Sequence, residues 1–250
     1  MSVEKIAIVT GSSRGIGAAT ARLLASQGYA VCINYHSNES AALELLAQLK
    51  ATGAQAIAVQ ADTASEADVI RLFNTVDAQL GRVTALVNNA GILAPQMRVE
   101  DMDAERINRI FATNVTGYFL CSREAIKRMS PRHGGEGGAI VNVSSAASRL
   151  GSPGEYVDYA ASKGAVDTLT KGLALELAAE GIRVNGVRPG IIYTDIHASG
   201  GEPGRVERVK GNIPMQRGGT ADEVAQAIVW LLSEGASYST GAMVDVTGGR

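Results

Sequence analysis

Tyr159 and Lys163 stand four residues apart in a segment of helical pattern, Tyr156–Ala179, so their side chains share one helix face. An ammonium beside a phenol favours the phenolate and is expected to draw the tyrosine below its free value of about 10. A tyrosine adjusted in this way can give or take a proton near neutral pH, which makes the pair a candidate general acid/base. Spacing alone does not assign that role, because Tyr-x-x-x-Lys also occurs where both residues only bury their stems. Asn114 lies inside a second long helical pattern, Ala104–Met129, in Thr113-Asn114-Val115-Thr116-Gly117. Asn and Gly cost helix stability relative to Ala, and a local conflict of this kind marks either a working residue or a plain kink.

An anion site is written into Thr10-Gly11-Ser12-Ser13-Arg14-Gly15-Ile16-Gly17, which lies between the first strand pattern and the first helix pattern. Gly11 permits a tight turn, Gly15 lets backbone approach a pyrophosphate, and Gly17 allows close packing of helix on strand. The helix start adds free N–H groups and a positive dipole end. The second strand pattern ends in Ile33-Asn34-Tyr35-His36-Ser37-Asn38, with no carboxylate before Glu39. A carboxylate there would hold the ribose hydroxyls of NAD, whereas its absence, with Arg14 nearby, suits the 2′-phosphate of NADP(H). Asn34, Tyr35 and His36 are therefore candidate cofactor contacts with Gly11, Ser13, Arg14, Gly15, Ile16 and Gly17.

The elements that must position these residues alternate. Lys5–Thr10, Ala30–Asn34, Gln55–Gln60, Ala85–Asn88, Ala139–Ser144, Arg183–Arg188 and Met243–Val246 are short, almost continuously apolar runs, as in strands buried on both faces of a parallel sheet. Helix patterns at Ile16–Gln27, Glu39–Thr52, Glu66–Leu80, Ala104–Met129, Tyr156–Ala179 and Ala221–Ser233 lie between them. Such alternation predicts an α/β fold of Rossmann type: a doubly wound parallel sheet of seven strands with helices on both faces, in a single domain over 1–250. Ile191–Arg217 has no clear period and is long for a connector, so it is expected to act as a substrate lid near 191–217. Its cations, Arg205, Arg208, Lys210 and Arg217, and its histidine, His197, fit a solvated surface.

Composition narrows the function classes. The chain has 250 residues, 46% hydrophobic and 19% charged, with a net charge of −2, which points away from nucleic-acid and membrane-surface binders. No signal peptide is expected before the first strand, and the expected compartment is the reducing cytoplasm. Cys32 and Cys121 fit buried reduced thiols, and no Cys/His spacing supports a metal site.

Taken together, Thr10–Gly17, Asn88-Asn89-Ala90-Gly91 after the fourth strand, Tyr159-Ala160-Ala161-Ser162-Lys163 and Pro189-Gly190 after the sixth strand resemble the short-chain dehydrogenase/reductase family, in order and across the whole chain. The resemblance is to its 3-oxoacyl-carrier-protein reductase and glucose-dehydrogenase-like members. It implies hydride transfer between NADP(H) and a carbonyl or alcohol carbon of a small molecule. Tyr159 would be the acid/base, and Lys163 its partner and the holder of the nicotinamide ribose. A serine after the fifth strand would bind the substrate oxygen, and Asn114 would hold a relay water. Counting back from Tyr159, the family spacing falls on Ala146. Ser145 is taken because it follows the strand end as the family serine does, with Ser144 as the alternative. The resemblance also implies cofactor contacts at Asp62, Thr63, Asn88, Ala90, Gly91, Pro189, Gly190, Ile192 and Thr194, although Asp62-Thr63 could instead cap the next helix. Tyr156 could line the pocket. Family members usually form tetramers through the Tyr156–Ala179 helix and its neighbour. A regulatory protein that binds NADP(H) without chemistry is the rival class, and the intact Asn114, Ser145, Tyr159 and Lys163 set argues against it.

Overall fold

The computed structural model describes residues 5–250. Met1–Glu4, the start of the stretch read as free of a signal peptide, lie outside the described residues. The apolar runs become β1 (Ile6–Val9), β2 (Ala30–Tyr35), β3 (Ala56–Gln60), β4 (Ala85–Asn88), β5 (Gly138–Val143), β6 (Ile182–Pro189) and β7 (Met243–Val246). All neighbours pair parallel in one sheet of order β3-β2-β1-β4-β5-β6-β7. The helices are α1 (Gly15–Ser26), α2 (Glu39–Ala51), α3 (Glu66–Gln79), α4 (Ala104–Phe111), α5 (Gly117–Met129), α6 (Ala147–Leu150), α7 (Val157–Leu177), α8 (Ile196–Ser199), α9 (Arg205–Val209) and α10 (Ala221–Leu232). None is long and apolar enough to cross a membrane.

Strand side chains alternate between two cores, the period-two consequence of the pleat. Ala7 and Val9 of β1 join Leu24 of α1, Leu45 of α2 and Ile228 of α10. Ile6 and Ile8 face the other way, onto Leu72 and Phe73 of α3, Ala125 of α5 and Leu177 of α7. Cys32 and Cys121 both lie in this second core as free, buried thiols. Burial pushes both thiols up, Cys121 to about 12. Strand order reverses between β1 and β4, and in open parallel sheets ligands bind at that switch point, beyond the strands' carboxyl ends.

Two expectations change. The single helix over Ala104–Met129 is broken: Ala112–Thr116 is a π-helical turn between α4 and α5, with Asn114 inside it. The aperiodic stretch 191–217 is not structureless, since α8 and α9 fold within it.

Candidate active site

Helix α7 and the end of β5 deliver the candidate catalytic groups to one cavity of about 530 Å³, where Ser145, Tyr159 and Lys163 line the wall. Ser144 and Ser145 continue the extended pairing of β5 beside β6, with Ser144 N–H donating to Val187 O at 2.8 Å and Ala146 N–H to Pro189 O at 2.9 Å. Successive side chains of an extended segment point to opposite sides. The Ser144 hydroxyl is accordingly committed beneath the site, donating to Asp167 Oδ1 at 2.5 Å and lying 3.1 Å from Lys163 O. Both serines border the cavity, and the commitment of the Ser144 hydroxyl to Asp167 favours Ser145 of the two. The one-residue offset is taken up where α6 and the turn after it intervene between β5 and α7, with Ala147 N–H bonding Ser145 Oγ at 3.1 Å.

Lys163 is buried, and its ammonium donates to Val143 O at 2.8 Å and Tyr118 Oη at 3.3 Å. Burial pulls it down to about 7, opposed by the Asp167 charge. The same burial pushes Tyr159 up to about 12, which the Ser145 hydroxyl partly offsets. The direction is opposite to the expected one, because loss of water penalises the phenolate. Asn114 does not bond Lys163 through its side chain. Its Oδ1 accepts from Ile92 N–H at 2.8 Å, while its Nδ2 donates to Ile92 O and Ser162 Oγ, each at 3.1 Å. The π-turn, a feature frequent at functional sites, thus pins the Gly91–Ile92 segment. A Cβ on Gly91 would stand 3.5 Å from both Asn114 Oδ1 and Lys163 Nζ.

A second cleft of about 800 Å³ adjoins the cavity, sharing Ile16, Gly91 and Thr194 with it. Gly11, Ser13, Arg14 and Gly15 of the first loop line this cleft, as do Tyr35 and His36 after β2, Asp62 and Thr63 after β3, and Ala90 after β4. Pro189, Gly190 and Ile192 line the catalytic cavity instead. The cleft fits a nicotinamide dinucleotide. Helix α1 begins with no side-chain cap and no acid in its first turn, so its positive end is left for an anion. Gly11 has φ +60°, and a Cβ there would come within 2.8 Å of Ala90 Cα. At Gly17 a Cβ would lie 2.6 Å from Asn89 Nδ2.

Three predicted contacts take other roles. Gly17 packs under the loop and does not line the cleft. Asn34 borders the cleft but spends its amide on backbone: Oδ1 accepts from Gly11 N–H at 3.1 Å, and Nδ2 donates to Ala61 O at 3.1 Å. Asn88 points away, its Nδ2 donating to Asn142 Oδ1 at 2.9 Å and Ser122 Oγ at 3.0 Å within the sheet's interior. Its neighbour Asn89, which sequence reasoning passed over, borders both cavities and donates to Thr10 O at 2.8 Å and Gly11 O at 3.0 Å. Strand alternation holds the missed signal, because an inward Asn88 forces Asn89 outward. The alternative reading of Asp62-Thr63 as a helix cap fails, since Ser65 caps α3.

His197 is buried and lines the catalytic cavity, not the surface as expected. Tyr156 lines it too, with the Arg205 guanidinium 5.0 Å from its ring centre. The cations of the 191–217 segment are paired: Arg205 bonds Glu155 and Glu202, Arg208 bonds Glu202, Lys210 bonds Glu207, and Arg217 bonds Glu223.

Residues 11–250 match a family model described as enoyl-(acyl carrier protein) reductase. The chain belongs to the short-chain dehydrogenase/reductase family. Within that family it is 65% identical, over 245 residues, to the Escherichia coli K12 protein named uncharacterized oxidoreductase YgfF, covering 98% of this chain and 99% of that one. It is 39% identical over 246 residues to glucose 1-dehydrogenase 2 of Bacillus subtilis, with 98% and 94% covered. A blue fluorescent protein from a metagenomic library, solved in complex with NADPH, superposes with a TM-score of 0.90 at 35% identity, covering 98% and 97%. The chain is thus an oxidoreductase of the short-chain family, acting on CH–OH or C=O groups of a small molecule.

Proposed function

We propose that this oxidoreductase reduces a small carbonyl compound with NADPH, or runs the reverse oxidation, using Tyr159, Lys163, Ser145 and Asn114. The observation that carries the reading is the convergence of Ser145, Tyr159 and the buried Lys163 on one cavity that opens to the glycine-loop cleft. When bound, the reduced nicotinamide supplies the hydride. Ser145 donates a hydrogen bond to the carbonyl oxygen, and Tyr159 delivers its proton to the same atom. Lys163, held by Val143 O and Tyr118, stabilises charge on the phenol oxygen as the proton leaves. A water at the Asn114 turn returns a proton toward Lys163 from solvent. The segment 191–217 acts as a lid, tied to the loop before α7 by the Arg205–Glu155 pair. A homotetramer built on α7 and its neighbour, working in the cytoplasm, completes the reading. NADPH consumption over a panel of ketones, diketones, sugars and acyl thioesters tests it; a chain inert toward all of them would support the non-catalytic alternative.

Preference for NADPH rests on Arg14 and His36 bordering the cleft and on the uncharged end of β2. Of the carboxylates close by, Glu39 accepts from Tyr35 Oη at 3.2 Å, and Asp62 lies 3.9 Å from His36 at the cleft wall. A charged hydrogen bond contributes about 1.5–3 kcal/mol, so Arg14→Ala should weaken NADPH about 10- to 100-fold in a fluorescence titration and leave NADH unchanged. Equal losses for the two cofactors would remove Arg14 from the 2′-phosphate site.

A further inference from the structure

One carboxylate next to the catalytic groups has no part in the chemistry above. Asp167 follows Lys163 by one turn of α7, and its side chain is only 17% exposed. It accepts from the Ser144 hydroxyl at 2.5 Å and from Arg188 at 3.0 Å through Nε and 2.9 Å through the terminal nitrogen. Each partner sits beside a site residue: Ser144 precedes Ser145, and Arg188 precedes the Pro189-Gly190 wall of the cavity. Arg188 continues to Asp245 of β7 at 3.6 Å, and Asp245 continues to Arg149 of α6 at 3.3 Å. One chain of charges therefore ties together the ends of β5, β6 and β7 with α6 and α7.

We propose that Asp167 is a positioning residue for the proton transfer: clamped by Ser144 and Arg188, it fixes the end of β5 so that Ser145 faces the substrate, and it supplies the negative charge that favours Lys163 as an ammonium. The inference rests on the reading that Tyr159 and Lys163 move the proton. The groups facing Lys163 from other elements leave that task open. Helix α5 presents the neutral Tyr118 hydroxyl, with its ring centre 5.1 Å away, and β5 presents the Val143 carbonyl. The π-turn presents the uncharged Asn114 across Gly91, and α7 itself presents the Tyr159 ring at 5.6 Å. Among these neighbours only Asp167 carries a negative charge at neutral pH, and its field opposes the loss of the lysine's proton that burial promotes.

The two functions of Asp167 separate by mutation. Ser144→Ala removes the clamp and keeps the charge; kcat for carbonyl reduction should fall several-fold with the pH profile in place. Asp167→Asn keeps the shape and removes the charge. Activity that needs the ammonium is lost as pH rises through the lysine's ionisation, so the alkaline limb of kcat should move down by about one pH unit, a tenfold change in that equilibrium. Asp167→Glu should restore the limb. In the Asn variant Arg188 keeps Asp245 as a partner at 3.6 Å; should that variant still fold poorly, Asp167→Ser, which likewise removes the negative charge, carries the same measurement. A limb that stays in place in the charge-free variant overturns the inference, whatever happens to kcat. Wild-type protein that fails to consume NADPH with every carbonyl of the panel overturns the catalytic reading beneath it, and that failure shows before any variant is made.

Discussion

Tyr159→Phe is expected to reduce carbonyl turnover by at least about 10²-fold, the ordinary cost of losing a general acid, while NADPH binding stays close to wild type. Phenylalanine keeps the ring that lines the cavity and removes only the hydroxyl. The loss should fall on kcat, because the proton is needed as charge develops on the substrate oxygen and not when substrate binds. The raised phenol sharpens this expectation. Burial holds the tyrosine's proton up to about 12, so at neutral pH the acid form is fully populated and its removal has nothing to hide behind. Steady-state rates with the best substrate of the panel, together with a fluorescence titration of NADPH, check the prediction. Near-normal kcat in the variant would take the proton transfer away from Tyr159.

The largest stability effect is expected one residue earlier. Asp158 and Arg106 form an ion pair at 2.7 Å, with side chains 2% and 8% exposed. The pair is embedded: Arg106 also donates to Pro95 O at 2.6 Å, and Asp158 Oδ1 accepts the Tyr159 N–H at 2.8 Å. Asp158→Ala would strand a buried guanidinium, which costs about 3–5 kcal/mol. At about 2–4 °C per kcal/mol for a domain of this size, the melting temperature should fall by about 6–20 °C. Replacing both partners, as Arg106→Met with Asp158→Leu, should recover most of that loss, because an apolar pair has no desolvation to repay. Calorimetry of the two variants decides the matter; a single variant that melts with wild type would show that water reaches Arg106.

Most of the fold and the centre of the site were legible in the sequence, for a local reason. Strand runs buried on both faces carry their own signal, and the glycine loop and Tyr159–Lys163 are defined by spacings within one turn or one loop. What stayed illegible depends on packing across the sheet. Whether Asn88 or Asn89 reaches the cofactor cleft depends on which face of β4 meets Ser122 and Asn142. The choice of Ser145 over Ser144 depends on Asp167, 23 residues away. The direction of the Tyr159 shift depends on how completely α7 is covered, which spacing cannot report. The π-turn left only a trace, the poor helix formers around Asn114. His197 was misplaced because its segment has no period from which to read an inward face.

Cys32 and Cys121 complete the molecule's two thiols, both sealed in the core between the sheet and its helices and both held in the protonated form. Maleimides and disulfide reagents attack the thiolate, so the folded chain is close to silent toward them without any cysteine being removed. A single cysteine placed on the exposed face of α9 or α10 would then be the one handle for a fluorophore or spin label. With the label on α9, which lies inside 191–217, the native background is already suited to reporting whether that segment moves when substrate arrives.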